Sequence, residues 1–153
     1  MLEIPINWWA VVVAAVVKFV LGALWYSPPL FLRPWQHLAG VDDAAMRMRM
    51  PLALPTDALG SLIMATVLVH AMRYAGVRGW GQGAALGFFA WLGFIAVTQV
   101  PATIYEGRSW RFFAINAGYL LVALLLMGAI LAAWPSSGGV VGTLGHDLLA
   151  AAA

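Results

Sequence analysis

Four stretches of this sequence are long and apolar enough to cross a lipid bilayer, and they constrain the fold more than any other feature. A membrane-spanning helix needs about 20 mostly apolar residues, because each residue advances about 1.5 Å along a hydrocarbon path of about 30 Å. The stretches cover residues 7–26, 57–74, 83–103 and 112–134. The sequence therefore predicts an all-α fold, a four-helix transmembrane bundle within residues 1–134, followed by a flexible Gly/Ala-rich tail over residues 135–153.

The composition agrees with a membrane protein and narrows the functional classes. Hydrophobic residues make up 63% of the chain and charged residues 9%, whereas soluble domains average about 45–50% and about 25%. The basic residues are scattered, so no stretch could follow a phosphate backbone, and nucleic-acid binding is not expected. The chain contains no cysteine, which excludes disulfides, thiolate metal sites and cysteine nucleophiles.

The distribution of arginine predicts the orientation, because basic residues accumulate in the cytoplasmic connections of membrane proteins. Five arginines fall on the side of the first and third connections and two on the opposite side: Arg33, Arg47, Arg49, Arg108 and Arg111 against Arg73 and Arg78. We therefore expect both termini to lie outside the cytoplasm.

The long first connection carries two further features. Phe31, Trp35 and Leu38 recur at helical spacing, which predicts a short amphipathic helix lying in the membrane interface. Farther along, residues 46–50 alternate methionine and arginine. Two interpretations of this run remain open: a patch that docks a partner or anionic lipid, or a juxtamembrane segment whose arginines reach lipid headgroups, which we prefer.

Lys18 is the most unusual residue of the predicted helices, because it falls near the centre of the first one. A charge at that depth costs about 2.5–3.5 kcal/mol on insertion scales and usually faces the protein interior with a partner. Lys18 shares a helix face with Gly22, whose small size permits close helix contact. As a functional group it would compensate an anionic substrate, carry protons or pair with a carboxylate of a neighbouring protein. As a structural group, which we prefer, it would donate to Asn116, Thr98, Gln99 or backbone carbonyls.

Two carboxylates lie at predicted helix ends. Asp57 begins the second helix behind Thr56 as the N-cap, where a carboxylate stabilises the positive end of the helix dipole. Glu106 lies in a tight turn beside Arg108, so an ion pair that fixes the turn is preferred over a gate or docking point. No carboxylate is expected at a helix centre, which argues against a proton-coupled transporter.

Four other polar residues of the predicted helices each have a functional and a packing interpretation. His70 could ligate a haem or a chlorophyll-type pigment through a neutral imidazole, but a hydrogen-bonded packing role is preferred, and no cofactor or metal is expected. Thr98 and Gln99 adjoin Pro101, which frees a backbone carbonyl. Together they could coordinate an ion or substrate, although satisfying the interrupted backbone is preferred. Asn116, together with Tyr119, is expected to tie helices together.

A glycine ridge opens the third predicted helix. Gly79, Gly83 and Gly87 follow one another at intervals of four residues, so they lie on one helix face. Such a ridge lets a second helix approach closely. The sequence predicts this contact without indicating whether the second helix belongs to the same chain.

Several motifs are similar to those of a known family. The most specific is Trp25-Tyr26-Ser27-Pro28 after a leucine, followed by Trp35. From about residue 4 to residue 134, the chain resembles the bacterial domain-of-unknown-function family 1761. The resemblance implies a small bacterial four-helix protein of the inner membrane and implies no activity.

The sequence fits no enzyme template, because it offers no Ser/His/Asp set at a common depth, no carboxylate cluster and no phosphate-binding loop. By elimination we expect a non-catalytic accessory or scaffolding subunit. It would pack in the bilayer against other membrane proteins, with respiratory and photosynthetic complexes among the candidates, or against copies of itself. The alternative is a small oligomeric transporter or channel with a path lined by Lys18, His70, Thr98, Gln99 and Asn116.

Overall fold

The computed structural model describes residues 6–134, and every regular element in that range is a helix. The helices are α1 (Trp8–Trp25), α2 (Leu32–Ala39), α3 (Asp43–Tyr74), α4 (Trp80–Tyr105, with a π-helical segment at Trp91–Ala96) and α5 (Trp110–Ala133). Four of them, α1, α3, α4 and α5, are long and apolar enough to cross a membrane. The prediction of an all-helical chain with four such helices is confirmed for this range. The predicted tail lies outside the described residues.

Local side-chain caps explain where three of the helices begin. The side chain of Asn7 accepts hydrogen bonds from the first backbone N–H groups of α1, and Ser109 does the same for α5. Asp42 caps α3 by accepting from the N–H of Ala45 at 2.7 Å. Gly76 and Gly107 adopt left-handed backbone angles in the turns after α3 and α4, a conformation that glycine adopts at little cost. The chain therefore reverses sharply at both turns.

The start of α3 differs from the sequence-based expectation. The predicted start at Asp57, with Thr56 as the N-cap, is wrong, because α3 begins at Asp43 and runs through Pro51 and Pro55. Each proline lacks a backbone N–H, and its ring crowds the carbonyl four residues back, but the flanking alanine, methionine, arginine and leucine residues are good helix formers. Thr56 therefore lies inside the helix, where its hydroxyl donates to the carbonyl of Leu52.

Helix α5 is the centre of the molecule, since it contacts each of the other four described helices. Indole and glycine contacts show that it runs antiparallel to α1 and to α4: Trp25 lies against Ile115, and Gly83 lies against Gly128. The buried core forms where α1, α3 and α5 meet, and its members are small or aliphatic residues. They are Ala10, Val11, Ala14, Ala15, Ala65, Leu68, Val69, Met72, Leu124, Met127 and Leu131.

The glycine ridge of α4 packs against α5 of the same chain. A Cβ atom built on Gly83 would lie 2.1 Å from the carbonyl oxygen of Gly128, and one on Gly87 would lie 2.2 Å from that of Leu124. The two backbones therefore touch, which only glycine permits at these positions. Gly79 is not part of this contact and the prediction is wrong there, because Gly79 precedes α4 with a positive φ and no atom lies near its missing Cβ.

Candidate functional site

Lys18 is buried and forms an ion pair with a carboxylate of α3. Its side chain is 4% exposed, and Nζ lies 2.9 Å from Oδ1 of Asp57 and 3.0 Å from Oγ of Ser61. The ring of Tyr119 lies 5.6 Å from the same ammonium, at cation–π distance. Lys18 is therefore surrounded by a carboxylate, a hydroxyl and an aromatic ring from α3 and α5.

These partners correct two sequence-based expectations. Lys18 was expected to donate to Asn116, Thr98, Gln99 or backbone carbonyls, but it donates to Asp57 and Ser61. Asp57 was expected to cap a helix. Because α3 begins earlier than predicted, Asp57 instead lies near the middle of the helix, where it faces α1, and the expectation that no carboxylate lies at a helix centre is wrong.

The pair lies far from the end of α1. Lys18 precedes Trp25 by about 7 residues, or about 10 Å of helix. An isolated charge at this depth of a membrane span would be costly, and an opposite charge in contact offsets much of that cost. The carboxylate is still open on one side, since the side chain of Asp57 is 47% exposed.

The open side of Asp57 faces a groove of about 800 Å³ between α1, α3 and α5. The residues that line it are largely apolar, with Arg49 at one end and the Lys18–Asp57 pair farther in. They are Lys18, Met48, Arg49, Leu52, Ala53, Thr56, Asp57, Gly60, Met64, Tyr119 and Leu120. This volume lies within the usual range for small-molecule sites, about 300–1,000 Å³.

Asn116 of α5 is the centre of a second polar cluster. Its Oδ1 accepts hydrogen bonds from the hydroxyl of Tyr26 at 2.9 Å and from the indole N–H of Trp35 at 3.2 Å. Its own amide donates to the carbonyl of Phe112. The indole of Trp25 donates to the neighbouring carbonyl of Ile115 at 3.1 Å. Asn116 therefore holds the end of α1 and the helix α2 against α5.

The cluster accounts for most of the Trp-Tyr-Ser-Pro motif in structural terms. Three side chains of the motif hydrogen-bond to α5: those of Trp25, Tyr26 and Trp35. The hydroxyl of Ser27 donates to the carbonyl of Leu24. Pro28 follows in the turn after α1. Burial, with smaller contributions from nearby Tyr119 and Asp57, raises the pKa of Tyr26 to about 12. Its hydroxyl therefore stays protonated and remains a donor at neutral pH.

Replacing Asn116 by leucine is expected to lower the free energy of unfolding by about 1–3 kcal/mol, because two partly buried donors lose their acceptor. Trp35→Phe should cost less, since it removes one donor and leaves Asn116 bonded to Tyr26. Thr98→Val is the control, because Thr98 is exposed and bonds only to its own helix. The measurement is the midpoint of thermal unfolding in detergent. Equal midpoints for Asn116→Leu and Thr98→Val would contradict the role of Asn116.

The other candidate residues do not join either cluster. The Nδ1 of His70 lies 2.7 Å from the carbonyl of Thr66, one turn back on the same helix. The hydroxyl of Thr98 bonds within α4, and Gln99 is half-buried on that helix. Glu106 and Arg108 form an exposed ion pair in the turn between α4 and α5. None of the four candidates lines the groove.

Tyr119 was expected, with Asn116, to tie helices together, but the sequence did not indicate that it links the two clusters. Its hydroxyl donates to the carbonyl of Lys18 at 3.3 Å and packs on Gly22, where a Cβ would lie only 2.9 Å away. Its ring lies 5.6 Å from that of Tyr26. A usable signal was present in the spacing: Tyr119 follows Asn116 by three residues, which places both side chains on one face of α5.

Comparison with known proteins identifies one family. The family model described as "Protein of unknown function (DUF1761)" matches residues 9–132, which is most of the chain and includes both clusters. No curated protein and no solved structure matches the chain.

Proposed function

The chain belongs to the DUF1761 family, and from that premise we propose that it is a non-catalytic accessory or scaffolding subunit of the bacterial inner membrane. It packs against other membrane proteins through its exposed helix faces. Both termini lie outside the cytoplasm, and α2 lies in the cytoplasmic interface, where arginine predominates in the connections.

The observation that carries this proposal is how the polar side chains inside the fold are used. Asn116, Trp25 and Trp91 form hydrogen bonds within the chain that hold α1, α2 and α4 against α5. Polar groups that hydrogen-bond within the chain stabilise a fixed scaffold. Groups bonded in this way are not free to line a transport path. The internal hydrogen bonds therefore favour a scaffolding role over a transport role.

The outer surface supports the same proposal. Broad apolar faces are exposed on three helices, with Val16 on α1, Val67 on α3 and Phe94 on α4 each more than half exposed. In a bilayer such faces contact lipid or another membrane protein. The transporter alternative requires Lys18, His70, Thr98, Gln99 and Asn116 to face one cavity. Of these residues, only Lys18 lines the groove described above.

The proposal is tested by photo-crosslinking from the exposed faces in native membranes. A photoreactive residue is placed at position 16, 67 or 94, and the adducts are identified by mass spectrometry. We expect one of the three faces to give a stoichiometric adduct with a distinct membrane protein, and the same protein to co-purify in a gentle detergent. Adducts with lipid alone from all three faces would overturn the proposal.

The absorption spectrum of the same preparation tests the remaining cofactor hypothesis. A visible band that disappears in His70→Leu would assign a haem or pigment to this chain. A colourless homo-oligomer would instead favour the transporter alternative.

A further inference from the structure

We infer that a pocket formed by the ends of three helices binds the headgroup of an anionic phospholipid, such as phosphatidylglycerol, through Arg73 and Arg78. The pocket has a volume of about 470 Å³ and lies where α3 ends, α4 begins and α5 ends. This volume lies within the usual range for small-molecule sites, about 300–1,000 Å³. The inference is independent of the proposed scaffolding role, which concerns the exposed sides of the helices.

The pocket is positively charged and its charges are not paired within the described part of the chain. Arg73 and Arg78 both line it, and neither guanidinium forms an ion pair or a hydrogen bond with a described residue. The described residues that line the pocket include no carboxylate. A guanidinium binds phosphate oxygens through charge-assisted hydrogen bonds, two of them at a time in the forked geometry. The pocket therefore suits a ligand that carries a phosphate and a net negative charge.

The place of these two arginines in the sequence also points to a ligand. Arg73 and Arg78 are the only lysine or arginine residues at their end of the four spans, whereas five arginines lie at the opposite end. Orientation in the membrane follows from such a difference in basic residues, and these two reduce it. Orientation therefore does not account for them, and the structure brings both to one pocket.

The turn that carries Arg78 is fixed by hydrogen bonds before any ligand binds. The N–H of Arg78 donates to Oε1 of Gln82 at 2.8 Å. The N–H of Val77 donates to the carbonyl of Met72 at 2.9 Å, which closes the end of α3. Gly79 then enters α4 with a φ of 83°, a conformation that glycine adopts at little cost. A backbone held in this way lowers the entropy that is lost on binding.

The depth of the pocket matches the order of the groups in a phospholipid. Trp134 lines the outermost part at the end of α5, and tryptophan is typical of the level of lipid headgroups. Val69 precedes Arg73 by one turn of α3, or about 6 Å, and Leu131 lies about one turn deeper than Trp134. The phosphate at the arginines therefore lies at the headgroup level, and the apolar wall deeper in receives the start of the acyl chains. This wall favours a lipid over a soluble anion.

The test compares three headgroups on identical acyl chains. The full-length protein is placed in nanodiscs with equal amounts of phosphatidylglycerol, phosphatidylcholine and phosphatidylethanolamine, one of which carries a diazirine at the start of a chain. After irradiation, mass spectrometry of peptides maps the adducts. We expect phosphatidylglycerol to label residues 69–79 and 131–134 about 5-fold more than the other two, because the pocket offers two cations and no carboxylate for an ammonium. Equal labelling of these residues by the three lipids would overturn the inference.

Single substitutions assign the preference to the two arginines. Arg73→Gln and Arg78→Gln should each lower labelling by phosphatidylglycerol to the level of phosphatidylcholine, with an unchanged thermal unfolding midpoint, since neither side chain has a partner among the described residues. Arg78→Lys should keep part of the preference, because it retains the charge and loses the forked geometry. Arg111→Gln is the control, as it removes an exposed arginine at the opposite end of α5. Loss of the preference in Arg111→Gln, or its persistence in both pocket variants, would contradict the assignment.

A photoreactive residue at position 77, which lines the pocket, identifies the occupant directly. We expect an adduct with phosphatidylglycerol. An adduct with residues 135–153 or with a second copy of the chain, in place of lipid, would overturn the inference. Loss of the lipid adduct on addition of inorganic phosphate would assign the pocket to a soluble anion and would overturn it as well.

Discussion

Leucine at Gly83 or Gly87 is expected to abolish the fold, because either side chain would have to occupy space already filled by the backbone of α5. A single Cβ atom at these positions would lie 2.1 or 2.2 Å from a carbonyl oxygen. Overpacking in a core costs about 1–3 kcal/mol even when side chains can shift. Here the contacting atoms belong to the backbone, so we expect a larger loss from leucine. Alanine at either position should produce a measurable part of the same effect.

The control for this prediction lies on the same helix. Gly81 has no atom within 4 Å of its missing Cβ, so Gly81→Leu tests the same substitution and the same gain in helix propensity without a collision. The measurement is the fraction of monodisperse protein recovered in detergent, followed by its thermal unfolding midpoint. We expect Gly81→Leu to behave as the wild type. Similar recovery of Gly83→Leu and Gly81→Leu would show that α4 and α5 do not touch as described.

The glycine ridge illustrates what periodicity predicts and what it leaves open. A four-residue spacing of glycines indicates a close helix contact, because the positions share one face. The spacing does not identify the helix that packs against the ridge. In the structure that helix is α5, whose Gly128 follows Gly83 by about 45 residues. The four spans of membrane-crossing length were predictable for a similar reason, since length and hydropathy are local properties of the chain.

The site was harder to predict because its residues come from different helices. Lys18 was recognisable as a buried charge from its position in an apolar stretch, but its partner was misplaced when the second helix was predicted to begin at Asp57, whereas α3 begins at Asp43. Proline lowers the probability of a helix without excluding it, and α3 continues through two of them. Once α3 extends through Asp57, a lysine and an aspartate face each other from two apolar helices. The pairing of Lys18 with Asp57 could therefore be predicted only with the correct start of α3.

Breaking the Lys18–Asp57 pair is expected to have the second large effect, and the two single substitutions should differ in size. Asp57→Ala leaves an ammonium that is 4% exposed without its counter-charge, and removing one partner of a buried pair costs about 3–5 kcal/mol. Lys18→Met leaves a carboxylate that is already half-exposed, so its cost should be smaller. The double variant Lys18→Met/Asp57→Leu should recover most of the stability, because no unpaired charge remains.

A double-mutant cycle on the free energy of unfolding in mild detergent measures this coupling. Glu106→Ala is the matched control, since it breaks an ion pair in which both side chains are about half-exposed, and exposed pairs contribute about 0–1 kcal/mol. A double variant as unstable as Asp57→Ala alone would show that the packing of these side chains, and not their charge, stabilises the site. A double variant close to the wild type in stability would assign the pair no essential structural role.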